Sequence, residues 1–244
     1  MSARIAGIHP VLEALRARRR GLRKIVLSSG RNDRRFEEIL AAAREAGVSV
    51  ERRPRETLDR IAGGRLHQGV VALGEEVAYT DPETILERAG QPPLLVVLDG
   101  VEDPRNLGAV IRACAAAGAD GLVVPAHGAA GLTEACARAS AGAVERLPIA
   151  RVGNIVSFLK MLKTRGIWVA GLDAAGETAW TRFDMTVPLA LVVGGEGRGL
   201  RRLARETCDA LLSIPLRSQV ESLNLAVAAG VALFEAVRQR SFPG

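Results

Sequence analysis

Five polar residues in this chain, Asn106, Arg112, Glu196, Ser222 and Asn224, belong to stretches in which an apolar run ends and a helix follows, where a fold can present chemistry. They fall in three stretches. The first runs Leu98-Asp-Gly-Val-Glu-Asp-Pro-Arg-Asn-Leu-Gly-Ala-Val-Ile-Arg112. A buried strand would leave there into a polar loop and then a helix, with Asn106 near the helix start. Capping and ion pairing would account for both polar residues. Arg112, however, lies among Ala109, Val110, Ile111, Ala113 and Cys114, an apolar setting for a guanidinium. The second stretch is Val193-Gly-Gly-Glu-Gly-Arg-Gly199. Glycines after a strand allow positive φ and let a ligand approach the backbone, or they simply make a tight turn. Glu196 between them is harder to explain as turn chemistry. The spacing is not GxGxxG and follows a late strand, which argues against an ordinary dinucleotide site. In the third stretch, Ile214 to Gly230, Ser222 and Asn224 open a helix that is apolar almost all round and therefore expected to be buried. A buried helix N-terminus offers free N–H groups and partial positive charge. Ser222 reads there as an N-cap and Asn224 as a polar residue inside the first turn. Taken singly, each stretch reads as structure or as site.

These stretches need elements to hold them. From Leu94 onward apolar strands and amphipathic helices alternate: strands at Leu94–Leu98, Gly121–Val124, Ile167–Ala170, Leu189–Val193 and Ala210–Ile214, and helices at Leu107–Ala117, Leu132–Ala139, Ile155–Lys163, Leu200–Glu206 and Leu223–Arg238. Continuous apolar strands separated by helices imply a mostly parallel sheet covered on both faces. Ligands of such sheets bind at the carboxyl ends of the strands, where the three stretches fall. The first 75 residues form a smaller α/β unit, with helices at His9–Arg19 and Asp33–Ala46 and strands at Lys24–Ser28, Val48–Val50 and Gly69–Leu73. Residues 76–92 read as a linker, with room for a short helix at Pro82–Arg88, and residues 93–244 as the second domain.

Charge separates the two parts. Residues 1–77 carry 16 Lys and Arg against 10 Asp and Glu, whereas residues 78–244 carry 17 of each, so the whole excess of +6 lies in front. A basic front on a neutral body suggests a module that grips a polyanion and a module that acts on it. Arg16, Arg18, Arg19, Arg20, Arg23 and Lys24 form the densest basic cluster and are the candidates for contact with a nucleic-acid backbone; a solvated helix end is the plain alternative. Aromatics are 3% of the chain, so aromatic base stacking is not expected as the recognition mode. The 3 cysteines and 3 histidines are scattered without ligand spacing, so no metal site is expected. No apolar run reaches the roughly 18 residues of a membrane span and the start has no signal-peptide core, so a cytoplasmic location is expected.

In order and spacing, the three stretches resemble the three signature motifs of the SPOUT superfamily, in its branch of RNA ribose 2′-O-methyltransferases. Gly7-Ile-His-Pro-Val-Leu-Glu-Ala-Leu15, His67-Gln-Gly-Val-Val-Ala72 and Leu233-Phe-Glu-Ala-Val-Arg-Gln-Arg240 are similar to the bacterial enzymes that methylate a guanosine of large-subunit rRNA. The resemblance implies a small N-terminal α/β RNA-binding domain and a C-terminal parallel-sheet domain with a deep trefoil knot. It implies S-adenosylmethionine as methyl donor, embraced by Gly194, Gly195, Ile214 and Leu223. It implies a homodimer with catalytic residues near the subunit interface, and a catalytic set of Asn106, Arg112, Glu196, Ser222 and Asn224. By that resemblance Arg112 is a general base, or else a fixed cation that orients phosphate and stabilises the developing alkoxide. Ser222 and Asn224 position the ribose and Arg112, Glu196 orients Arg112 or contacts RNA, and Asn106 holds the substrate or the active-site loop.

The expected reaction is methyl transfer to the ribose 2′-hydroxyl of a guanosine in 23S rRNA. Same-fold alternatives are methylation of tRNA, or of an rRNA adenosine as in antibiotic resistance. From other classes, a non-catalytic RNA-binding or ribosome-assembly protein and a nucleotide-dependent oxidoreductase stay in play. The intact five-residue set disfavours the first of these, and the absence of GxGxxG after the first strand of the body disfavours the second.

Overall fold

The computed structural model describes residues 2–17, 21–30, 33–75, 77–217 and 222–241. Contacts divide the chain into two units, residues 1–78 with 141–146, and residues 79–140 with 147–244.

The first unit is built from β1 (Ser2–Ala6), α1 (Ile8–Ala17), β2 (Lys24–Ser28), α2 (Arg34–Ala46), β3 (Ser49–Arg53), α3 (Arg55–Ala62) and β4 (Val70–Glu75). The sheet order is β1-β4-β2-β3; β4 runs antiparallel to β1 and β2, and β2 runs parallel to β3. Asp33 caps α2 by accepting from the backbone N–H of Arg35 and Phe36, and Gly47 closes it in the left-handed conformation at φ 68°. Alternation of side chains along β2 splits the core into two layers. Ile25 and Leu27 join Ile8, Leu12, Leu15, Phe36 and Ile39 on the α1 and α2 face, while Val26 joins Leu58, Ala62 and Val71 on the α3 face. β1 and α3 were not expected from the sequence. Arg55–Ala62 carries three Arg and Asp residues and only a narrow apolar edge, so its periodicity is weak.

The second unit contains α4 (Pro82–Arg88), β5 (Leu94–Leu98), α5 (Pro104–Ala116), β6 (Gly121–Pro125), α6 (Glu134–Ala139), β7 (Ile149–Val152), α7 (Ile155–Thr164), β8 (Trp168–Leu172), β9 (Thr178–Ala179), β10 (Leu189–Val193), α8 (Arg202–Thr207), β11 (Ala210–Ser213) and α9 (Leu225–Ser241). The seven strands are ordered β7-β6-β5-β10-β8-β11-β9, and every pairing is parallel. The α/β class with a small first sheet and a larger parallel second sheet is as expected. The short strands β7 and β9 are additions. β5, β6 and β10 are buried along their whole length, which is why they read as unbroken apolar runs. Phe158, Leu159 and Leu162 of α7 and Ala204 of α8 cover one face of the sheet, while α5 packs against α9, which in turn contacts β10. Arg240 anchors the end of α9: its guanidinium donates to the carbonyls of Met185, Pro92, Pro93 and Val187 at 2.8–3.1 Å.

α9 departs from the expectation of full burial. Leu225, Ala229, Ala232, Leu233 and Ala236 face the core, but Val227 and Phe234 are 50% and 51% exposed. An all-apolar helix does not show which side the rest of the chain covers.

Candidate active site

β10 lies between β5 and β8, and β8 next to β11, so the carboxyl ends of four parallel strands stand side by side. Three of these ends release a segment into the same region. β10 releases Gly194–Gly199, β8 releases Asp173 and Ala174, β11 releases Ile214 to Leu216, and the start of α9 closes the set. Together they line a cleft of about 450 Å³, within the range of small-molecule sites. Of the expected residues, Gly194, Gly195, Glu196, Ile214, Ser222, Leu223 and Asn224 all line it.

The glycine loop is a closed hairpin. Gly195 and Gly199 exchange backbone hydrogen bonds at 3.0 and 3.1 Å. Gly197 and Gly199 take φ of 71° and 65°, conformations that favour glycine. A Cβ on Gly194 would lie 2.1 Å from the carbonyl carbon of Gly199, so only glycine fits there. The hairpin is held from below by Asp99, whose side chain is 1% exposed. Asp99 accepts from the Arg201 backbone N–H at 2.7 Å and from its Nε and Nη2 at 2.8 and 2.5 Å. These bonds hold the Arg201 guanidinium above its ordinary pKa.

Asn106, on the third residue of α5, is brought to this loop because α5 follows β5, the neighbour of β10. Its Nδ2 donates to Glu196 Oε1 at 2.8 Å, and its Oδ1 accepts from Asn224 Nδ2 at 3.1 Å. The backbone N–H of Asp103 reaches the same Glu196 oxygen at 3.4 Å. Asn224 Oδ1 accepts from the N–H groups of Ala226 and Val227 at 2.8 and 3.4 Å. Asn224 is therefore the N-cap of α9, in place of the expected Ser222, and does not lie inside the first turn. The reason is local: the Asn224 carbonyl accepts the first helical hydrogen bond, from the Ala228 N–H at 2.9 Å, and an Ncap side chain can reach both orphan N–H groups.

Arg112 is not in this cluster. It lies on the exposed face of α5, seven residues after Arg105, and is absent from the cleft lining. The apolar neighbours in sequence, Val110, Ile111 and Cys114, point into the core, so the guanidinium is not buried among them. Of the basic cluster, Arg18, Arg19 and Arg20 lie outside the described residues. Arg16 faces Glu13 at 3.6 Å, Arg23 faces Glu75 at 3.5 Å, and Lys24 Nζ meets Glu51 at 3.0 Å.

Sequence reading did not single out Asp99, Asp173 or Arg201. A signal was present: Asp99 and Asp173 are the first residues after buried strands, at the ligand-binding edge of a parallel sheet. Asp173 accepts from Arg205 Nε at 2.8 Å. The three cysteines offer no nucleophile, since burial pushes the Cys136 and Cys208 thiols up to about 12 and the Cys114 thiol higher still. Among the described residues no group of three or more His, Cys, Asp or Glu is placed to hold a metal ion. No helix among them is long and apolar enough to cross a membrane.

Residues 93–234 match the family model described as the SpoU rRNA methylase family. Residues 4–80 match the one described as RNA 2′-O ribose methyltransferase substrate binding. The chain is 45% identical over 238 residues to the 23S rRNA (guanosine-2′-O-)-methyltransferase RlmB of Ralstonia nicotianae, covering 97% of this chain and 96% of that one. It is 44% identical to an uncharacterised tRNA/rRNA methyltransferase of Mycobacterium avium, covering 97% of this chain and 77% of the relative. Among solved structures, the SpoU methyltransferase AviRb of Streptomyces viridochromogenes in complex with AdoMet superposes with a TM-score of 0.83 at 29% identity, covering 99% of this chain and 91% of that one.

Proposed function

This chain belongs to the SpoU rRNA methylase family, and from that premise we propose that it transfers a methyl group from S-adenosylmethionine to the ribose 2′-hydroxyl of a guanosine in 23S rRNA. The observation that carries the reading is the meeting of Asn106, Glu196 and Asn224, from three distant stretches, at the mouth of one cleft.

The cleft fits the cofactor by its chemistry. Leu212, Ile214, Leu223 and Leu225 offer apolar walls for an adenine. The open backbone of Gly194 and Gly195, with Asp173 nearby, offers polar contacts for the cofactor's ribose and amino-acid tail. When bound, S-adenosylmethionine supplies a methyl group activated by its sulfonium. The protein has to hold the 2′-oxygen in line with that methyl, while the hydroxyl proton passes to solvent water as the bond forms. Asn224 and Ser222 are assigned to the ribose, since both line the cleft beside the capped start of α9. Asn106 links Glu196 and Asn224 into one hydrogen-bonded relay, and Glu196 fixes the glycine loop to the start of α5. Arg112, which has donors and no acceptor, is assigned the role of a cation that orients phosphate and steadies the developing alkoxide.

We propose that the enzyme works as a homodimer. Val227 and Phe234, seven residues apart on α9, leave an apolar stripe exposed, and Arg112 lies away from the cleft of its own chain. A second copy would cover the stripe and bring Arg112 to a site. A trefoil knot in the second domain belongs to the same proposal; support comes from the placement of β10 between β5 and β8. We assign residues 1–75 to RNA substrate binding, residues 76–92 to a linker and residues 93–244 to catalysis, in the cytoplasm, where rRNA is made. The test is transfer of labelled methyl from S-adenosylmethionine to unmodified rRNA fragments and bulk tRNA side by side, with nuclease mapping. Alkali-resistant label at one 23S guanosine is the expected result. Label on tRNA alone would overturn the substrate, and no binding of the donor would overturn the activity.

A further inference from the structure

The first unit gathers four exposed arginines, two of them outside any ion pair with the described residues, at one end of its sheet, and it is not the end that carries Arg16, Arg23 and Lys24. β1, β2 and β3 all finish at the same edge. There the Gly7 N–H donates to Val70 O, the Ser28 N–H to Gly69 O, and the Ser29 N–H to Arg53 O, at 3.2, 2.9 and 2.8 Å. The three helices of the unit each begin just past these strand ends. They bring Arg34 and Arg35 in the first turn of α2, Arg53 at the end of β3 and Arg55 at the first position of α3. All four are exposed. Arg53 pairs with Glu51, and Arg34 faces Glu38 at 3.7 Å. Arg35 and Arg55 make no ion pair with the described residues. Of the acids closest in sequence, Asp33 caps two N–H groups, and neither Glu37 nor Glu56 forms an ion pair with Arg35 or Arg55. α3 starts at Pro54 with no side-chain cap, so its first N–H groups face the same edge without a side-chain acceptor.

The loop from α3 into β4, which enters the sheet at this same edge, exposes one apolar side chain. Leu66 is 81% exposed. Its support is rigid. His67 is buried, its Nδ1 accepts from the Gly69 N–H at 3.0 Å, and its Nε2 meets Asp59 Oδ1 at 2.9 Å. With Nδ1 accepting from a backbone N–H, the ring proton sits on Nε2 and is donated to Asp59. Gln68 takes φ of 52° and accepts from the Ile8 N–H through its side chain at 3.2 Å, tying the loop to the start of α1.

We infer that this edge is the surface on which the first unit grips RNA, with Arg35 and Arg55 on backbone phosphates and Leu66 against the face of an unstacked base or its ribose. Cations grip a phosphate chain without reading sequence, and a single presented apolar group adds contact to a splayed nucleotide. The inference rests on RNA being the substrate.

The test uses the full chain and a 23S rRNA transcript. RNA affinity is measured as a function of salt, and S-adenosylmethionine affinity in parallel, for the wild type, Arg35→Ala/Arg55→Ala, Leu66→Ala, and Arg16→Ala/Arg23→Ala/Lys24→Ala. The first variant is expected to bind RNA about tenfold more weakly and to flatten the plot of log K against log salt by roughly 1.5, since each lost phosphate contact removes about 0.7–0.9. Leu66→Ala is expected to weaken binding several-fold with an unchanged slope. The Arg16 set is expected to stay within about twofold of wild type, and donor affinity to be unchanged throughout. Wild-type affinity and slope in Arg35→Ala/Arg55→Ala, or a loss confined to the Arg16 set, would overturn the inference. If the wild type binds 23S rRNA but transfers no methyl, the proposed activity fails while the slopes still decide the surface. If it binds only tRNA, the same variants are read on tRNA.

Discussion

Asn224 Nδ2 donates to Asn106 Oδ1 across 118 residues of chain, at 3.1 Å. The bond fixes both amides. Asn224 must turn its oxygen to the helix N–H groups it caps, which leaves its NH₂ for Asn106; Asn106 then has its own NH₂ for Glu196. Each member can make its bonds in one orientation only.

Asn106→Ala is therefore expected to lower the methyl-transfer rate about 100-fold, the scale found when one preorganised polar group at a reacting centre is removed. Donor affinity should stay within a few-fold of wild type, because Asn106 does not line the cleft. Single-turnover transfer and a donor titration on the same protein separate the two. A variant that keeps the wild-type rate would remove the relay from catalysis.

The glycine hairpin yields a graded set. Gly194→Ala places a methyl 2.1 Å from a backbone carbon and should abolish donor binding. Gly197→Ala meets nothing within 4 Å, and its φ of 71° should cost about 1–2 kcal/mol with binding retained. Asp99→Asn strips charge from three hydrogen bonds to Arg201 and should cost about 2 kcal/mol. Its donor affinity should fall as the hairpin loosens. Thermal melts and calorimetric titration of the three variants give the ranking, and equal donor affinity in Gly194→Ala and Gly197→Ala would contradict it.

Phe234→Glu puts a carboxylate on the exposed stripe of α9 without touching the core face. If that stripe joins two copies, light scattering should report the wild type as a dimer and the variant as a monomer with its secondary structure intact. A wild-type protein that is monomeric at micromolar concentration would dismiss the dimer.

Glu235 gives a pH dependence with a definite sign. Its carboxylate accepts from Arg238 at 2.8 and 2.7 Å and from Gln239 at 2.8 Å, and the Arg238 bonds above all hold it down to about 2, against burial, which acts the other way. The unfolded chain would take up that proton near 4.5. Between those values the unfolded state binds more protons, so this contribution is complete above 4.5 and drains away as pH falls toward 2. Glu235→Gln should flatten that part of the acid limb of stability in a series of denaturant melts, and an unaltered limb would show that the pair contributes nothing.

Much of this protein was legible as a string of residues. Leu94–Leu98 and Leu189–Val193 announce themselves as strands because a parallel strand buried on both faces must be apolar throughout. Asp33 and Gly47 bound α2 by chemistry that is local to the chain. Gly194 to Gly199, Asn106 and Asn224 stand where strands end or helices begin, and the resemblance of their spacing to known motifs pointed to the reaction class. What the string could not hold is adjacency. That β10 inserts between β5 and β8 is a property of the sheet, and it alone carries Glu196 to Asn106 and Asn106 to Asn224. The same holds for charge. Arg16, Arg23 and Lys24 are dense in sequence, yet each faces an acid, Glu75 and Glu51 coming from distant strands, while Arg35 and Arg55, 20 residues apart, arrive at one edge without such partners. Composition fixes how many charges a chain carries, but only the packing of strands and helices decides which of them remain for a ligand, because Coulombic pairing depends on separation in space.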